Sequence, residues 1–426
     1  MGILSSFNVG VTGLRAAGSA MTVTGDNIAN AGTFGFKGSR AEFQDLLSKS
    51  LKGIDGGNQI GSGTKLAHVK SIFTQGNINR TENVTDLAMN GNGFFTMETA
   101  KGRGYTRDGS FHFDKEGKLI NGDGYAVLGF TANEDGKISE KLGHITLGNA
   151  TIPAAPTSKV KMSMNVDSRA DIQQFDINNP DKTSNFNTSM VVYDNVGTQR
   201  LTTIYFNKVA DGQWQFHATV PGEDAQGGRP DTLVEMGTGT LQFDPKGKLL
   251  SETTTLNSFN FNKGAEQNQQ IEFDFGESLT EGGNGDKATT QFGSDSSIAR
   301  HTQDGSSAAT LASLSFNDEG VLSASYDNGI IKDISQVAVA KFENNEGLFK
   351  MGKNMFKETR NSGQAAVGHP GKDGRGDVQS KSIELSNIDI ADEFINLMNS
   401  QRNFQANTKT ITTSDAMLQE VLNIKR

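Results

Sequence analysis

The chain carries 426 residues, a net charge of −9 and no cysteine. Its length exceeds one ordinary core and implies two to four domains, while the missing cysteine excludes disulfides, thiolate metal sites and a cysteine nucleophile, and the lack of any basic cluster excludes a nucleic-acid footprint. Fifty glycines, seven prolines and 26 phenylalanines read as a turn-rich, mainly β protein with enough apolar surface for packed cores.

The first predicted element is a helix over residues 3 to 30. Phe7, Leu14, Met21 and Ile28 recur at a spacing of seven, with Gly18, Gly25 and Gly32 repeating beside them. Such a helix presents one seam of anchors and a neighbouring seam of bare backbone. Each glycine inside it costs about 0.5–1 kcal/mol relative to alanine, so the helix requires a partner. The opening "MGILSSFNVGVTGLRAAGSAM" has neither a basic n-region nor a long apolar h-region. No cleaved signal peptide is expected, and export would use a route that needs none. No stretch approaches a transmembrane span, so no membrane insertion is expected.

The helix runs into "DNIANAGTFGFKGSR" (26 to 40). Asn30 and Gly32 are suited to left-handed backbone at a helix end, and the Asn27 and Asn30 side chains can bond exposed main-chain groups. Phe34 and Phe36 flank Gly35, so an extended segment would send both rings into one groove, while Gly35 and Gly38 admit close backbone. Asn27, Asn30, Gly32, Phe34, Gly35, Phe36 and Lys37 therefore read as a rigid joint between the helix and the next unit. The plainer alternative is a helix C-terminus followed by a loop.

The middle of the chain reads as β. "FDKEGKL" (113), "FDPKGKL" (243) and "FNDEGVL" (316) each place a polar turn with glycine between apolar flanks, a hairpin signal. They lack the alternating ligands and terminal glutamate of a calcium loop. Alternation in "MVVYDNVGTQRLTTIYFNK" and "WQFHATV" marks half-exposed strands. "NATIPAAPTSK" (149 to 159) and the Gly/Ser/Asp-rich region 276 to 308 mark boundaries. The implied division is 1–32 with 386–426 as a helical coiled-coil domain, 33–72 as a connecting segment, 73–148 with 308–385 as a β-rich middle domain, and 149–307 as an inserted β domain.

The last predicted element is a helix whose seam runs Ile390, Phe394, Leu397, Gln401, Phe404, Thr408, Ile411, Asp415, Leu418, Leu422, in alternating steps of three and four. Asn387 or Asp389 is its N-cap. The alternative is an amphipathic helix lying on a globular core. Pairing of the two terminal seams would bring both ends of the chain together.

Motifs for chemistry are absent or incomplete. His68, His112, His144, His217, His301 and His369 show no metal-type spacing. "GLFKMGKN" (347 to 354) nearly matches a phosphate loop, but Asn354 stands where Ser or Thr would bind magnesium. The Arg-Gly-Asp in "GRGD" (374 to 377) is a weak adhesion signal that a glycine turn also explains. No acid/base pair stands out, so no catalytic, cofactor or metal residue is assigned and the chain is not read as an enzyme.

"NIANAGTFGFKGSR", "TQGNINRTENVTDLAMNGNGFF" (74 to 95) and "GYTRDGSFHFDKEGKLINGDGYAVLGF" (104 to 130) resemble, in order, the N-terminal blocks shared by the bacterial flagellar rod and hook axial proteins. "VAKFENNEGLFKMGKNMFKETRNSGQA" and "SNIDIADEFINLMNSQRNFQANTKTITTSDAMLQEVLNIKR" resemble the closing segments of the hook members of that family. The resemblance covers about 1 to 147 and 310 to 426, and the middle matches loosely. It implies a homo-oligomeric curved tube that acts as a universal joint, outside the cell, between the motor's rod and the filament. It also implies export by the flagellar type III apparatus, assembly beneath a hook cap, and contact with rod and hook–filament junction proteins. Paired terminal helices would line the channel, with the middle domain around them and the inserted domain outermost. Some spirochaete members crosslink subunits through a cysteine and a lysine, which this cysteine-free chain excludes. A distal rod subunit with an enlarged insertion, or a secreted monomeric adhesin, are the alternatives.

Overall fold

The structure is a computed structural model that describes residues 2–47, 49–50, 59–133, 136–283, 285 and 287–424. It is mainly β, with a helix at Gly2–Ala29 and another at Ile390–Ile424. The chain forms two compact units: Met1–Gly148 with Ser313–Ser325 and Ile331–Arg426, and Asn149–Ala312 with Tyr326–Ile330. Residues 308–312 and 326–330 thus fall outside the middle domain in which the sequence reading placed them. Thr151–Ile152 pairs with Ala309 and Thr310, and the Asp327 carboxylate accepts from the Thr310 amide and hydroxyl, which holds both segments to the second unit.

In the first unit, one sheet orders the strands Val321–Tyr326, Ile331–Val337, Ala126–Ala132, Phe94–Thr99, Gly102–Thr106, Met355–Lys357 and Phe349–Gly352 as successive neighbours. Alternate side chains build two clusters. One gathers Leu87, Met89, Phe95, Met97, Phe111, Leu119, Val127, Val337 and Val339. The other gathers Phe94, Tyr105, Phe342, Leu348 and Phe356 with Phe73 against it. Rings in the second meet edge-on, with Phe73–Phe94 centroids at 5.7 Å and Tyr105–Phe342 at 4.8 Å, the arrangement that aromatic quadrupoles favour. Residues 33–72 do not form a free connector. Ser39–Asp45 pairs antiparallel with Thr64–Ser71, and this hairpin lies on the N-terminal helix, where the Thr64 amide donates to Thr12 Oγ1 at 3.2 Å.

The second unit holds a five-stranded antiparallel meander, Phe186–Tyr193, Gln199–Ala210, Gln213–Pro221, Leu233–Phe243 and Leu249–Leu256. A four-stranded sheet forms around Lys159–Asp167. Val160, Met162, Met164 and Val166 alternate along that strand into a core shared with Ile204, Phe206, Trp214, Phe216 and Phe273. The sequence motifs "FDKEGKL", "FDPKGKL" and "FNDEGVL" are hairpin turns. Asp114, Asp244 and Asn317 each accept two main-chain amides through the side chain, and Gly117, Gly247 and Gly320 each take positive φ.

Candidate functional site: the helix pair and its joint

The two terminal helices pack antiparallel. A Cβ on Gly10 would lie 3.0 Å from the Ile411 side chain, one on Gly13 would overlap the Asn407 amide, and Asn27 at the far end donates to Glu393 at 3.2 Å. On the N-terminal helix the buried line is Gly10, Ala17, Thr24 and Asn27. Phe7, Leu14, Met21 and Ile28 occupy the adjacent row and are half-buried. Gly18, Gly25 and Gly32 have open space where a Cβ would stand, so the bare-backbone contact lies at Gly10 and Gly13 instead.

The C-terminal seam differs from the sequence reading by one residue on one of its two rows. Leu397, Phe404, Ile411 and Leu418 are shielded, as are Glu393, Ser400, Asn407 and Ser414. Ile390, Phe394, Gln401, Thr408, Asp415 and Leu422 face outward. The reason is steric: glycine and alanine on the partner helix bring the backbones close, and the gap takes short polar side chains rather than large ones. Ile390, Phe394, Ile395 and Met398 are left about half exposed, as are Met417 and Val421, and Leu422 is 67% exposed.

The joint is the opposite case. Glu384 is fully buried and central. Its Oε1 receives Lys37 Nζ at 2.6 Å and the Gly76 amide at 2.9 Å, and its Oε2 receives Arg107 Nη1 at 3.3 Å. Lys37 also donates to the Thr74 carbonyl at 2.7 Å, and Arg107 to the Gly91 carbonyl at 2.7 Å. Burial pulls the Lys37 amine and the Arg107 guanidinium below their ordinary pKa values, while the Glu384 carboxylate pulls both back up. One carboxylate thus holds two cations inside the protein, an arrangement that tolerates loss of no member.

Around this triad every strand of the joint is tied. Asn27 accepts from the Ser39 amide at 2.9 Å and donates to the Ser39 carbonyl at 2.8 Å, locking the helix end to the hairpin. Asn387 accepts from the Gly38 amide at 2.9 Å and donates to the Ile72 carbonyl at 2.8 Å. Lys350 donates to the Lys37 carbonyl and to Ser39 Oγ, and its ammonium stands 5.3 Å over the Phe36 ring. Asn354 donates to the Phe34 carbonyl at 2.8 Å. The near-phosphate-loop segment therefore serves as a clasp on the joint. Asp389, not Asn387, caps the C-terminal helix, accepting from the Ala391 amide at 2.8 Å.

Two details of the joint correct the sequence reading. The left-handed residue is Gly35, at φ 64°, while neither Asn30 nor Gly32 takes positive φ. Asn30 instead bonds back to the Asp26 carbonyl and carboxylate. The turn at Gly35 also separates the rings. Phe36 is buried and Phe34 is 41% exposed, so they do not share a groove. A Cβ on Gly35 would lie 2.5 Å from the Arg107 carbonyl carbon. Sequence reasoning placed Asn27 and Lys37 at the joint, gave Asn387 and Asn354 other roles, and missed Glu384, Arg107 and Lys350. For Glu384 the signal was a lone charge within an apolar string, "SIEL".

Among the described residues no cluster of three metal-ligating side chains occurs. No described helix is long and apolar enough to cross a membrane. Arg375 of the Arg-Gly-Asp tripeptide has an 8% exposed side chain that pairs with Asp373 and donates to the His369 carbonyl, so the motif is a structural turn.

Four family models match in chain order. The flagella basal body rod protein model covers 7–37 and the flagellar hook protein FlgE/F/G D1 domain covers 88–180. The flagellar basal body protein FlaE D2 domain covers 163–306, and the flagellar basal body rod FlgEFG protein C-terminal model covers 379–424. The chain is 32% identical to the flagellar hook protein FlgE of Treponema pallidum over all of both chains. It is 33% identical to that of Borreliella burgdorferi over 99% of this chain and all of the relative. The chain belongs to the flagellar hook protein family. The crystal structure of Helicobacter pylori flagellar hook protein FlgE2 shares its fold, with a TM-score of 0.54 and 15% identity over 72% of this chain and all of that one. As a hook protein the chain is a structural subunit.

Proposed function

We propose that copies of this chain polymerise head to tail into the curved tube of the hook, with the terminal helices innermost, the β sheet of the first unit around them and the second unit outermost. In that assembly the hook acts as a universal joint between rod and filament, stiff in twist and soft in bending. Rod, cap and hook–filament junction proteins would meet the same surfaces at its ends. Subunits would reach it through the flagellar type III apparatus, outside the cell.

The observation that carries this reading is the uncovered face of the C-terminal helix. Ile390, Phe394, Ile395 and Met398 form a half-exposed apolar patch on its first turns, and Met417, Val421 and Leu422 another near its end. Fully burying such a side chain contributes about 1.5–3 kcal/mol, so covering the exposed half of each offers roughly 1 kcal/mol per residue. A neighbour that covers them stabilises both the helices and the contact, and contacts that do not close on themselves give an open helical polymer.

The test is removal of residues 1 to 30 from the full chain, assayed by electron microscopy and circular dichroism. The expected result is folded β units and no tubes. Tubes formed without that segment would overturn the reading.

A further inference from the structure

A groove of about 290 Å³ lies between the N-terminal helix and the base of the hairpin. Thr12, Arg15 and Ala16 form its helical wall, and Leu46, Lys65 and Leu66 form its hairpin wall. Among the described residues no carboxylate lines it. Arg15 is the sole basic residue of that helix, and neither Arg15 nor Lys65 has an ion-pair or hydrogen-bond partner among the described residues. Two unpaired cations beside leucine and alanine side chains form a receptor for an apolar segment that carries one carboxylate.

The C-terminal helix holds such a segment. Met417 and Val421 are 53% and 51% exposed, and Glu420, one turn on from Met417 and flanking it, is exposed and without a partner among the described residues. The same chain cannot bring the two together. Gly13 stands level with Asn407 in the antiparallel pair. Glu420 is 13 residues further on, about 20 Å along the axis from the level of Arg15's neighbourhood.

We infer that the groove of one copy receives the Met417–Glu420–Val421 face of the C-terminal helix of a second copy, with Glu420 between Arg15 and Lys65. The inference rests on the polymer reading above and deepens it by naming one contact. It is heterologous, since groove and ridge are different surfaces, and so it propagates along the assembly rather than closing a dimer. Charge complementarity fixes the register, and the apolar pair supplies contact area.

Charge exchange in the full chain tests it. Arg15→Glu and Glu420→Arg should each raise the concentration needed for tube formation by about tenfold or more, and the double variant should return to within about threefold of the natural chain. Circular dichroism and urea unfolding of each monomer would show that the fold of the first unit is unchanged. Because the chain has no cysteine, Ala16→Cys combined with Met417→Cys should form disulfides between subunits in tubes and none in monomers. Single variants that polymerise normally, a double variant with no recovery, or a failure to crosslink in well-formed tubes would overturn the contact. Failure of the natural chain to form tubes would instead overturn the polymer reading itself.

Discussion

The joint and the helix pair lie in the same unit and solve opposite problems. At the joint, one buried carboxylate satisfies two buried cations and a main-chain amide, and three amide side chains close the surrounding strands. Along the helix pair, Gly10, Gly13 and Ala17 meet a row of Ser400, Asn407 and Ser414 and a row of Leu397, Phe404, Ile411 and Leu418, while Ile390, Phe394, Met398, Met417, Val421 and Leu422 point outward. The first is complete within one chain, and the second is not. Under the polymer reading proposed above, such a subunit would carry a rigid attachment for helices whose open face a neighbouring copy covers.

That contrast can be broken most forcefully at Glu384. Replacing it with alanine leaves Lys37 and Arg107 as unpaired buried cations, and removing one partner of a buried pair costs about 3–5 kcal/mol. Urea unfolding followed by circular dichroism should show early loss of the first unit. The single tryptophan, Trp214, is buried in the second unit, and its fluorescence transition should stay in place. Coincident shifts in both signals would contradict the separation of the two units. Gly35→Ala comes next. It meets the Arg107 main chain and forces alanine to φ 64°, for a loss of about 2–4 kcal/mol in the same unfolding assay.

The helix face should behave in the reverse manner. Ile390→Ser, Phe394→Ser and Met398→Ser combined should change monomer stability by under about 0.5 kcal/mol per site, as exposed positions do, yet abolish tubes seen by electron microscopy. A large monomer destabilisation would show that the patch is already covered within the chain.

The smallest effect concerns pH. His369 packs against Phe130 with ring centroids 4.2 Å apart at a 32° tilt and bonds Gln336 at 2.7 Å. Burial, then Lys372 and Arg375, push its pKa below 6.5, with Glu140 opposing. The unfolded chain therefore takes up the proton first. Its contribution to stability is present above pH 6.5 and is lost as pH falls through the lowered folded value. His369→Gln should flatten the unfolding free energy of the first unit over that range.

How far the sequence could be read follows from the range of each interaction. The three Phe-x-x-x-Gly-x-Leu turns were legible because Asp or Asn and the left-handed glycine lie within four residues of each other. The pairing of both chain ends was legible from periodicity. The seam of the C-terminal helix was misread on one row because a pattern search rewards Ile390 and Phe394 over Ser400 and Asn407, whereas the small residues of the partner helix admit the latter. Lys37 stood out as a lone charge among glycine and phenylalanine, but its partner Glu384 lies 347 residues away. No local rule links them. The left-handed turn at Gly35 was missed because its cause, the Arg107 main chain, also lies outside any local window.

Amide hydrogen exchange on the isolated subunit and on assembled tubes compares the two regions directly. The account predicts that residues 5–25 and 392–420 exchange at least about a hundredfold faster in the monomer than in the tube, the signature of helices with little stability of their own. Residues 36–39 and 383–387 should exchange slowly in both. Terminal helices as protected in a dilute monomer as in the tube would contradict it.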